Sequence, residues 1–146
     1  MASPLERVTV QTHGLYPLTV TLELVNPDRL PVSHAYTQVV VARGARTVYV
    51  SGQVAFGAGP DDDVAAQALE AYRNLAVALE AAGADPSDVA KLTTYVVDYR
   101  PELLPAITEA RAAVFGSHRP ASTLVGVAAL ARPEFKIEVE ATAVVD

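Results

Sequence analysis

Two amphipathic helical segments set between runs of β-branched residues constrain the fold of this chain more than any other feature of its sequence. In the first segment, apolar residues recur at the helical spacing i, i+3, i+4, i+7. They are Val64, Ala65, Ala68, Leu69, Tyr72, Leu75, Ala76 and Leu79. Four polar residues, Gln67, Glu70, Arg73 and Glu80, lie outside this stripe. Gly83 is predicted to end the helix, because glycine readily adopts the left-handed conformation that follows helix C-termini.

The start of each helix is also marked. Asp61, Asp62 and Asp63 precede the first helix, and we interpret them as caps for its free N–H groups rather than as metal ligands. The second helix is predicted to begin at Arg100-Pro101-Glu102, with proline near its first position, and to end at Gly116. Its apolar stripe consists of Leu103, Ile107, Ala110 and Val114.

Strands are predicted on both sides of the helices. Residues 7–25 are β-rich and alternate with period two near their end. Residues 37–42 and 47–53 are predicted to form a hairpin joined by residues 43–46. Later strands are predicted at residues 89–98, 123–127 and 135–145. This order indicates an α+β fold in which both helices cover one face of a sheet.

The other face of that sheet is expected to meet a second copy of the chain. Three runs of consecutive apolar residues, at 39–41, 96–97 and 127–130, are typical of strands that are covered on both faces. A monomer would leave an apolar face in water, and such faces usually mark interaction surfaces. The sequence therefore predicts an oligomer.

Composition excludes several classes of function. The chain has no cysteine, a net charge of −6 and no basic run longer than two residues, which argues against a nucleic-acid surface. No secretory signal and no apolar run long enough to span a bilayer are visible, so a cytoplasmic protein is expected. His13, His34 and His118 fall in separate loops without metal-ligand spacing. Since dinucleotide, P-loop and nucleophile-elbow motifs are also missing, we expect neither metal nor cofactor.

Several segments, in order along the chain, resemble the RidA/YjgF family. They are Tyr36, Val50-Ser51-Gly52-Gln53, Asp63-Val64-Ala65-Ala66-Gln67, Leu79-Glu80-Ala81-Ala82-Gly83, Asp88-Val89 with Lys91, Arg119-Pro120-Ala121, and Lys136-Ile137-Glu138-Val139-Glu140-Ala141. The resemblance covers residues 26–146. It implies a chorismate-mutase-like fold with a six-stranded mixed sheet, two helices on one face, and a homotrimer around a central β-barrel with clefts between subunits. Residues 1–146 are then one domain, in which residues 1–25 form an N-terminal β extension that could add an edge hairpin.

The resemblance also implies a site. Deaminating members bind a 2-imino or enamine acid, whose carboxylate is held by an arginine in a Pro-Ala-Arg-Ser motif, and a glutamate positions the attacking water. Glu138 matches that glutamate and shares a strand face with Glu140, so each carboxylate could raise the pKa of the other. Tyr36 and Ser51 match residues that line the pocket. Gly52 is expected to meet a backbone requirement.

Ser122 is the main departure from the family pattern, because it follows Pro120-Ala121 where the arginine is expected. Serine cannot form a charged fork with a carboxylate, so such ligands should bind about 10–100-fold more weakly. Arg119 lies three residues upstream and is the nearest arginine that could reach the pocket.

Each of these residues also has a structural interpretation. Tyr36 could pack at an interface, Ser51 could bond to backbone in a turn, and Arg119 could lie in a surface loop. Glu138 could be a solvated strand residue paired with Lys136. Four functions therefore stay open. The chain is a hydrolase for an imine-type compound without an α-carboxylate, or a trimer that binds a metabolite without turnover. Otherwise it is a ribonuclease or translation inhibitor, as some relatives are named, or a scaffold with no ligand. The lack of a basic patch counts against the ribonuclease hypothesis.

Overall fold

A computed structural model describes residues 6–10, 20–31, 33–59 and 61–146 as an α+β fold. The strands are β1 (Glu6–Val10), β2 (Val20–Val25), β3 (Val39–Arg43), β4 (Arg46–Gln53), β5 (Val89–Val97), β6 (Ala121–Val127) and β7 (Ile137–Val145). The helices are α1 (Val64–Ala81) and α2 (Leu104–Phe115). Short 3₁₀ turns at Pro86–Asp88 and Pro101–Leu103 precede β5 and α2. None of the described helices is long and apolar enough to cross a membrane.

The described strands divide between two sheets. The first has the order β1-β2-β3 and is antiparallel throughout. The second has the order β4-β7-β5-β6, and within it only the β5–β6 pair is parallel. The expectation of one six-stranded sheet is therefore wrong for the described residues, which build a three-stranded and a four-stranded sheet instead.

The predicted hairpin between residues 37–42 and 47–53 is also wrong. Only Gly44 and Ala45 separate β3 from β4, yet β3 pairs with β2 and β4 pairs with β7. Tight two-residue hairpins of types I′ and II′ need a positive φ at the first central residue. Neither Gly44 nor Ala45 has a positive φ, so no such turn forms here and the chain passes from one sheet to the other.

The N-terminal part of the chain contributes an antiparallel strand pair. β1 pairs with β2 in a register that places Val8 opposite Leu22, and β1 forms an edge of the three-stranded sheet. The turn predicted around His13, Gly14 and Pro17 lies outside the described residues.

The core lies between the helices and one face of the four-stranded sheet. Tyr72, Leu75 and Leu79 of α1 are 1 % exposed or less and belong to the same apolar cluster as residues of β5, β7 and α2. The residues that the other elements contribute include Leu92, Val96, Ile107, Ala110, Phe115, Ile137 and Val139. The prediction of two helices on one face of the sheet is thus confirmed.

The predicted helix ends agree with the structure. Asp63 is the N-cap of α1, and its side chain accepts a hydrogen bond from the N–H of Ala66 at 2.8 Å. Gly83 follows the end of α1 with φ of 72°, and Gly116 ends α2 with φ of 58°, both in the left-handed region that favours glycine. The second helix differs at its start, since residues from Pro101 first form a 3₁₀ turn and the α-helix begins at Leu104.

Gln67 is buried, with 1 % of its surface exposed, although it lies outside the predicted apolar stripe of α1. Its Nε2 donates to the carbonyl of Glu134 at 2.9 Å, and its Oε1 accepts from the N–H of Lys136 at 2.8 Å. Both polar atoms of the amide form hydrogen bonds with backbone groups, and these bonds offset the free-energy cost of burying a polar side chain. The side chain therefore fastens α1 to the segment that enters β7.

The face of the four-stranded sheet that points away from the helices carries both polar and apolar side chains, so the expectation of an apolar surface holds only in part. We call it the open face. Alternation along β5 and β7 places on it the polar or charged side chains of Lys91, Thr93, Tyr95, Glu138, Glu140 and Thr142. Of the predicted apolar run at residues 96–97, Val96 is buried on the helix side. Val97 lies on the open face, as does Val144 of β7. Val39 and Val41 of β3 remain 43 % and 40 % exposed.

We expect Gln67→Ala to lower the free energy of unfolding by about 2 kcal/mol, because the carbonyl of Glu134 and the N–H of Lys136 lose their buried partner. Glu70→Ala, an exposed substitution in the same helix, is the matched control and should change it by less than about 0.5 kcal/mol. Urea unfolding followed by circular dichroism measures both. Equal effects of the two substitutions would show that the Gln67 amide does not fasten β7.

Candidate functional site

The open face positions Glu138. Ile137 and Val139 are completely buried against the helices, so the alternation of β7 turns Glu138 to the open side, directly across from Tyr95 of β5. Glu140 follows on the same face, opposite Thr93. The expectation that Glu138 and Glu140 share a face therefore agrees with the structure.

Gly52 lies against the Glu138 side chain. An ideal Cβ built on Gly52 would overlap Oε1 of Glu138 and come within 2.6 Å of its Cδ. Gly52 is not among the described residues with positive φ, so the requirement for glycine here is close approach and not an unusual backbone angle. The bulge between Val50 and Gln53 in the β4–β7 pairing shapes this part of β4.

Lys136 does not occupy the position that the structural interpretation of Glu138 gave it. Its ammonium donates to the backbone carbonyl of Asp62, at the start of α1. The carboxylate of Glu138 is thus held against Gly52 rather than in a surface ion pair with Lys136. That arrangement leaves the carboxylate available to a ligand on the open face.

Tyr95 links the two carboxylates of this face. Its hydroxyl donates to Oε1 of Glu140 at 2.7 Å. This hydrogen bond raises the pKa of Tyr95 above the usual 10.0, and burial and the negative charges of Glu140 and Glu138 add to the effect. Sequence reasoning did not select Tyr95. The period-two alternation Lys91, Thr93, Tyr95 along β5 was the signal that could have placed it beside the glutamates.

Tyr36, Arg119 and Ser122 belong to a different part of the molecule, around the start of β6. Thr37 donates its hydroxyl to the carbonyl of Arg119 at 2.6 Å and its N–H to the carbonyl of Pro120 at 3.3 Å. These bonds fix the backbone around Tyr36 beside the loop that leads into β6.

The guanidinium of Arg119 is occupied within that loop. Its Nε donates to the carbonyl of His34, and its Nη1 donates to the carbonyl of Ser117 at 3.1 Å. The residue is exposed. This geometry supports the structural interpretation of Arg119 as a loop arginine over a direct role in ligand binding.

Ser122 and Glu138 lie on opposite faces of the four-stranded sheet. Ser122 pairs with Leu92, which is buried on the helix side, whereas Glu138 pairs with Tyr95 on the open face. Leu124, two residues beyond Ser122, also packs against the core. Ser122 and Glu138 are two strands and three residues apart in register, so standard strand geometry separates them by about 14 Å. One small ligand cannot contact both within a single chain.

Ser51 is exposed at the same end of β4 as Gly52. Its carbonyl accepts from Nε2 of Gln53 at 3.2 Å. The structure therefore gathers Ser51, Gly52 and Glu138 into one group, and Tyr36, Arg119 and Ser122 into another.

These observations define a small α+β protein whose open sheet face carries the carboxylates of Glu138 and Glu140. The chain belongs to the RidA/YjgF family, since the family model described as Endoribonuclease L-PSP matches residues 27–145. It is 32 % identical over 133 residues to a protein from Rattus norvegicus named 2-iminobutanoate/2-iminopropanoate deaminase, a match that spans 86 % of this chain and 92 % of that protein. A Dermatophagoides farinae protein of the same name is 31 % identical over 115 residues, covering 76 % and 86 %.

Solved structures agree with this assignment. A Rid-family protein of unknown function from Yersinia pestis is 37 % identical and superposes with a TM-score of 0.78 over 84 % of this chain and 98 % of that one. A YjgF-family member from Mycobacterium tuberculosis is 35 % identical, with a TM-score of 0.60 over 75 % and 86 %. The expected family and its mixed α+β fold are confirmed.

We expect Gly52→Ala to displace the Glu138 carboxylate while changing the free energy of unfolding by less than about 1 kcal/mol, because the obstructing atoms end a flexible side chain. Carbon-detected NMR of the glutamate carboxyl groups would report the displacement as a shifted Glu138 signal. Gly57→Ala is the control, since its Cβ would have nothing closer than 4.0 Å. An unchanged Glu138 signal in Gly52→Ala would contradict the close approach.

The raised pKa of Tyr95 also predicts a pH dependence. Because the folded state holds the phenol proton more tightly than the unfolded state, the Tyr95–Glu140 contribution to stability is complete below pH 10.0 and is lost as pH rises through the higher folded pKa. The stability difference between the native chain and Tyr95→Phe should therefore shrink in strong alkali. The difference in tyrosinate absorbance between the two proteins should titrate above pH 10.0, and a midpoint at or below that value would refute the coupling.

Proposed function

We propose that this protein hydrolyses a small imine or enamine at a site completed by two copies of the chain, with Glu138 as the residue that positions the attacking water. The proposal is carried by one observation, the carboxylate of Glu138 held against Gly52 on the open face. The names of the relatives from rat and mite, which describe 2-imino acid deaminases, support the class of reaction.

The chemistry requires little from the protein. Water adds to the C=N carbon while the carboxylate of Glu138 accepts one of its protons and returns it to the nitrogen, which gives a carbinolamine. The hydroxyl proton of the carbinolamine then passes to the nitrogen, and the C–N bond breaks to release ammonia as the carbonyl forms. A carboxylate fixed beside a glycine can approach a small substrate closely, because no side chain intervenes at Gly52. Positioned acid–base groups of this kind typically contribute about 10²–10⁴-fold to a rate.

The substrate we infer lacks the α-carboxylate of 2-imino acids. Ser122 stands where the family motif has its arginine, and the guanidinium of Arg119 is bonded to the carbonyls of His34 and Ser117. Without a charged fork, a carboxylate ligand loses about 1.5–3 kcal/mol of binding free energy. The pocket is thus suited to neutral imines or enamines.

A homotrimer of single-domain chains (residues 1–146), with residues 1–25 as a β extension, is part of the proposal. Ser122 and Glu138 face opposite sides of one sheet about 14 Å apart, so a second copy is needed to bring the two groups of site residues together. β4 and β6 are the two edge strands of the four-stranded sheet, and β3 has two exposed valines. A neighbouring copy could therefore contact unpaired strand edges as well as an apolar surface.

The decisive measurement is hydrolysis of 2-iminopropanoate, generated in situ from alanine by an amino-acid oxidase, compared with a neutral imine. We expect the native protein to accelerate the neutral imine and to be slow on 2-iminopropanoate. Ser122→Arg should gain at least about 10-fold on 2-iminopropanoate, and Glu138→Ala should lose both activities. Glu102→Ala, an exposed substitution on the 3₁₀ turn before α2, is the control.

Three outcomes would change this assignment. Rapid 2-iminopropanoate hydrolysis by the native protein would show that Ser122 is no defect. If no variant accelerates either compound, catalysis is wrong and the non-catalytic metabolite-binding trimer replaces it. Activity that survives in Glu138→Ala would remove Glu138 from the chemistry.

Mixed assemblies test whether two copies complete the site. The double variant Ser122→Arg/Glu138→Ala has the arginine but lacks the carboxylate, and the native chain has the carboxylate but lacks the arginine. Co-expressed, they should hydrolyse 2-iminopropanoate, whereas each alone should be slow. If mixing restores nothing although Ser122→Arg alone is active, both groups act within one chain.

A further inference from the structure

A cavity of about 210 Å³ opens on the open face, one row of side chains away from Glu138. Its lining includes Tyr49 of β4, Lys91 and Thr93 of β5, and Glu140 and Thr142 of β7. Tyr49, Thr142 and Lys91 lie in one row across three strands, because Tyr49 pairs with Thr142 and Thr142 pairs with Lys91. Glu140 and Thr93 form the next row.

The cavity holds one cation and one anion that do not neutralise each other. Lys91 and Glu140 are diagonal neighbours on adjacent strands, a relation that separates their α-carbons by about 7–8 Å. Neither forms an ion pair with another of the described residues. Instead, the Lys91 ammonium donates to Oγ1 of Thr123 at 2.5 Å, and Oε1 of Glu140 accepts from Tyr95.

The ammonium of Lys91 and the carboxylate of Glu140 both have unused hydrogen-bonding positions that a ligand could fill. An ammonium has three N–H donors and only one is used by Thr123, while the second carboxylate oxygen of Glu140 is not used by Tyr95. Thr93 pairs with Glu140 and Thr142 pairs with Lys91, and both threonines line the cavity. The cavity therefore offers donors, an acceptor and neutral polar groups.

The volume suits a small ligand. A water molecule takes up roughly 30 Å³, so the cavity has room for about seven waters. Sites for drug-sized ligands are larger, at roughly 300–1,000 Å³. The ring of Tyr49, which is 80 % exposed, stands at the edge as a wall against which a short aliphatic side chain can pack.

We propose that this cavity binds a small zwitterionic α-amino acid, with its carboxylate on Lys91 and its ammonium on Glu140. Because the α-carbons of Lys91 and Glu140 are about 7–8 Å apart, both charged side chains can reach one small molecule in the cavity. This binding site uses residues that the proposed hydrolysis does not need, so it is a second function of the open face.

Assembly would strengthen the need for a ligand of this kind. A second copy that covers the open face takes Lys91 and Glu140 out of bulk water, and a buried charge without a partner is strongly unfavourable. A zwitterion compensates both charges at once, whereas a simple anion or a simple amine compensates only one. The charge pattern of the cavity therefore selects for molecules that carry both.

Isothermal titration calorimetry of the full chain with L-alanine tests the proposal, with propionate and ethylamine as probes that each lack one charge. We expect saturable binding of alanine, and binding at least 10-fold weaker for each of the other two. Lys91→Met and Glu140→Gln should each weaken alanine binding at least 10-fold, and Glu102→Gln, an exposed carboxylate elsewhere, should not. Circular dichroism checks that each variant is folded.

Several results would overturn the proposal. No saturable heat with millimolar alanine excludes the site, and propionate that binds as tightly as alanine shows an anion site instead. Unchanged binding in Lys91→Met places the ligand elsewhere, and this variant remains decisive even if Glu140→Gln loses stability with the Tyr95 hydrogen bond. The two functions separate cleanly, because Glu138→Ala should abolish hydrolysis and keep alanine binding, whereas Lys91→Met should do the reverse.

Discussion

The packing of α1 against β7 is the constraint on which the rest of the structure depends. Ile137 and Val139 are completely buried beneath the helices, and the buried amide of Gln67 bonds to the backbone at Glu134 and Lys136 just before the strand begins. A strand has a side-chain period of two, so a slip of one residue would exchange its two faces. By fixing where β7 enters, this contact decides that Glu138 and Glu140 reach the open face.

The open face then carries two neighbouring features, the carboxylate of Glu138 beside Gly52 and a cavity lined by Lys91 and Glu140. The carboxylate of Glu138 can lie directly against β4 because Gly52 has no side chain in that space. Lys91 and Glu140 form no ion pair with another of the described residues. Glu138, Glu140 and Lys91 lie on β7 and β5, the two central strands of the four-stranded sheet, whereas Gly52 and Tyr49 belong to the edge strand β4.

Much of the fold could be predicted from local pattern. The apolar spacing, Asp63, Gly83 and Gly116 place both helices correctly, because caps and left-handed C-terminal residues are local requirements of the backbone. The family was also within reach, through short segments spread over residues 26–146. The pairing of distant strands could not be predicted, because β3 and β4 on either side of Gly44 enter different sheets. β-branched runs identify strands, but they do not say which neighbour a strand chooses.

The sequence by itself determined the helices, most strands, the family and the alternation that pairs Glu138 with Glu140 on one side of β7. Only the tertiary structure decided that β3 and β4 enter different sheets, that Gln67 is buried, and that Ser122 and Glu138 face opposite sides. The physical reason is that helix signals and strand alternation depend on residues a few positions apart, within reach of the sequence pattern. Strand partners, the burial of a polar amide and the separation of a site depend on contacts between distant segments, whose energies no local pattern contains.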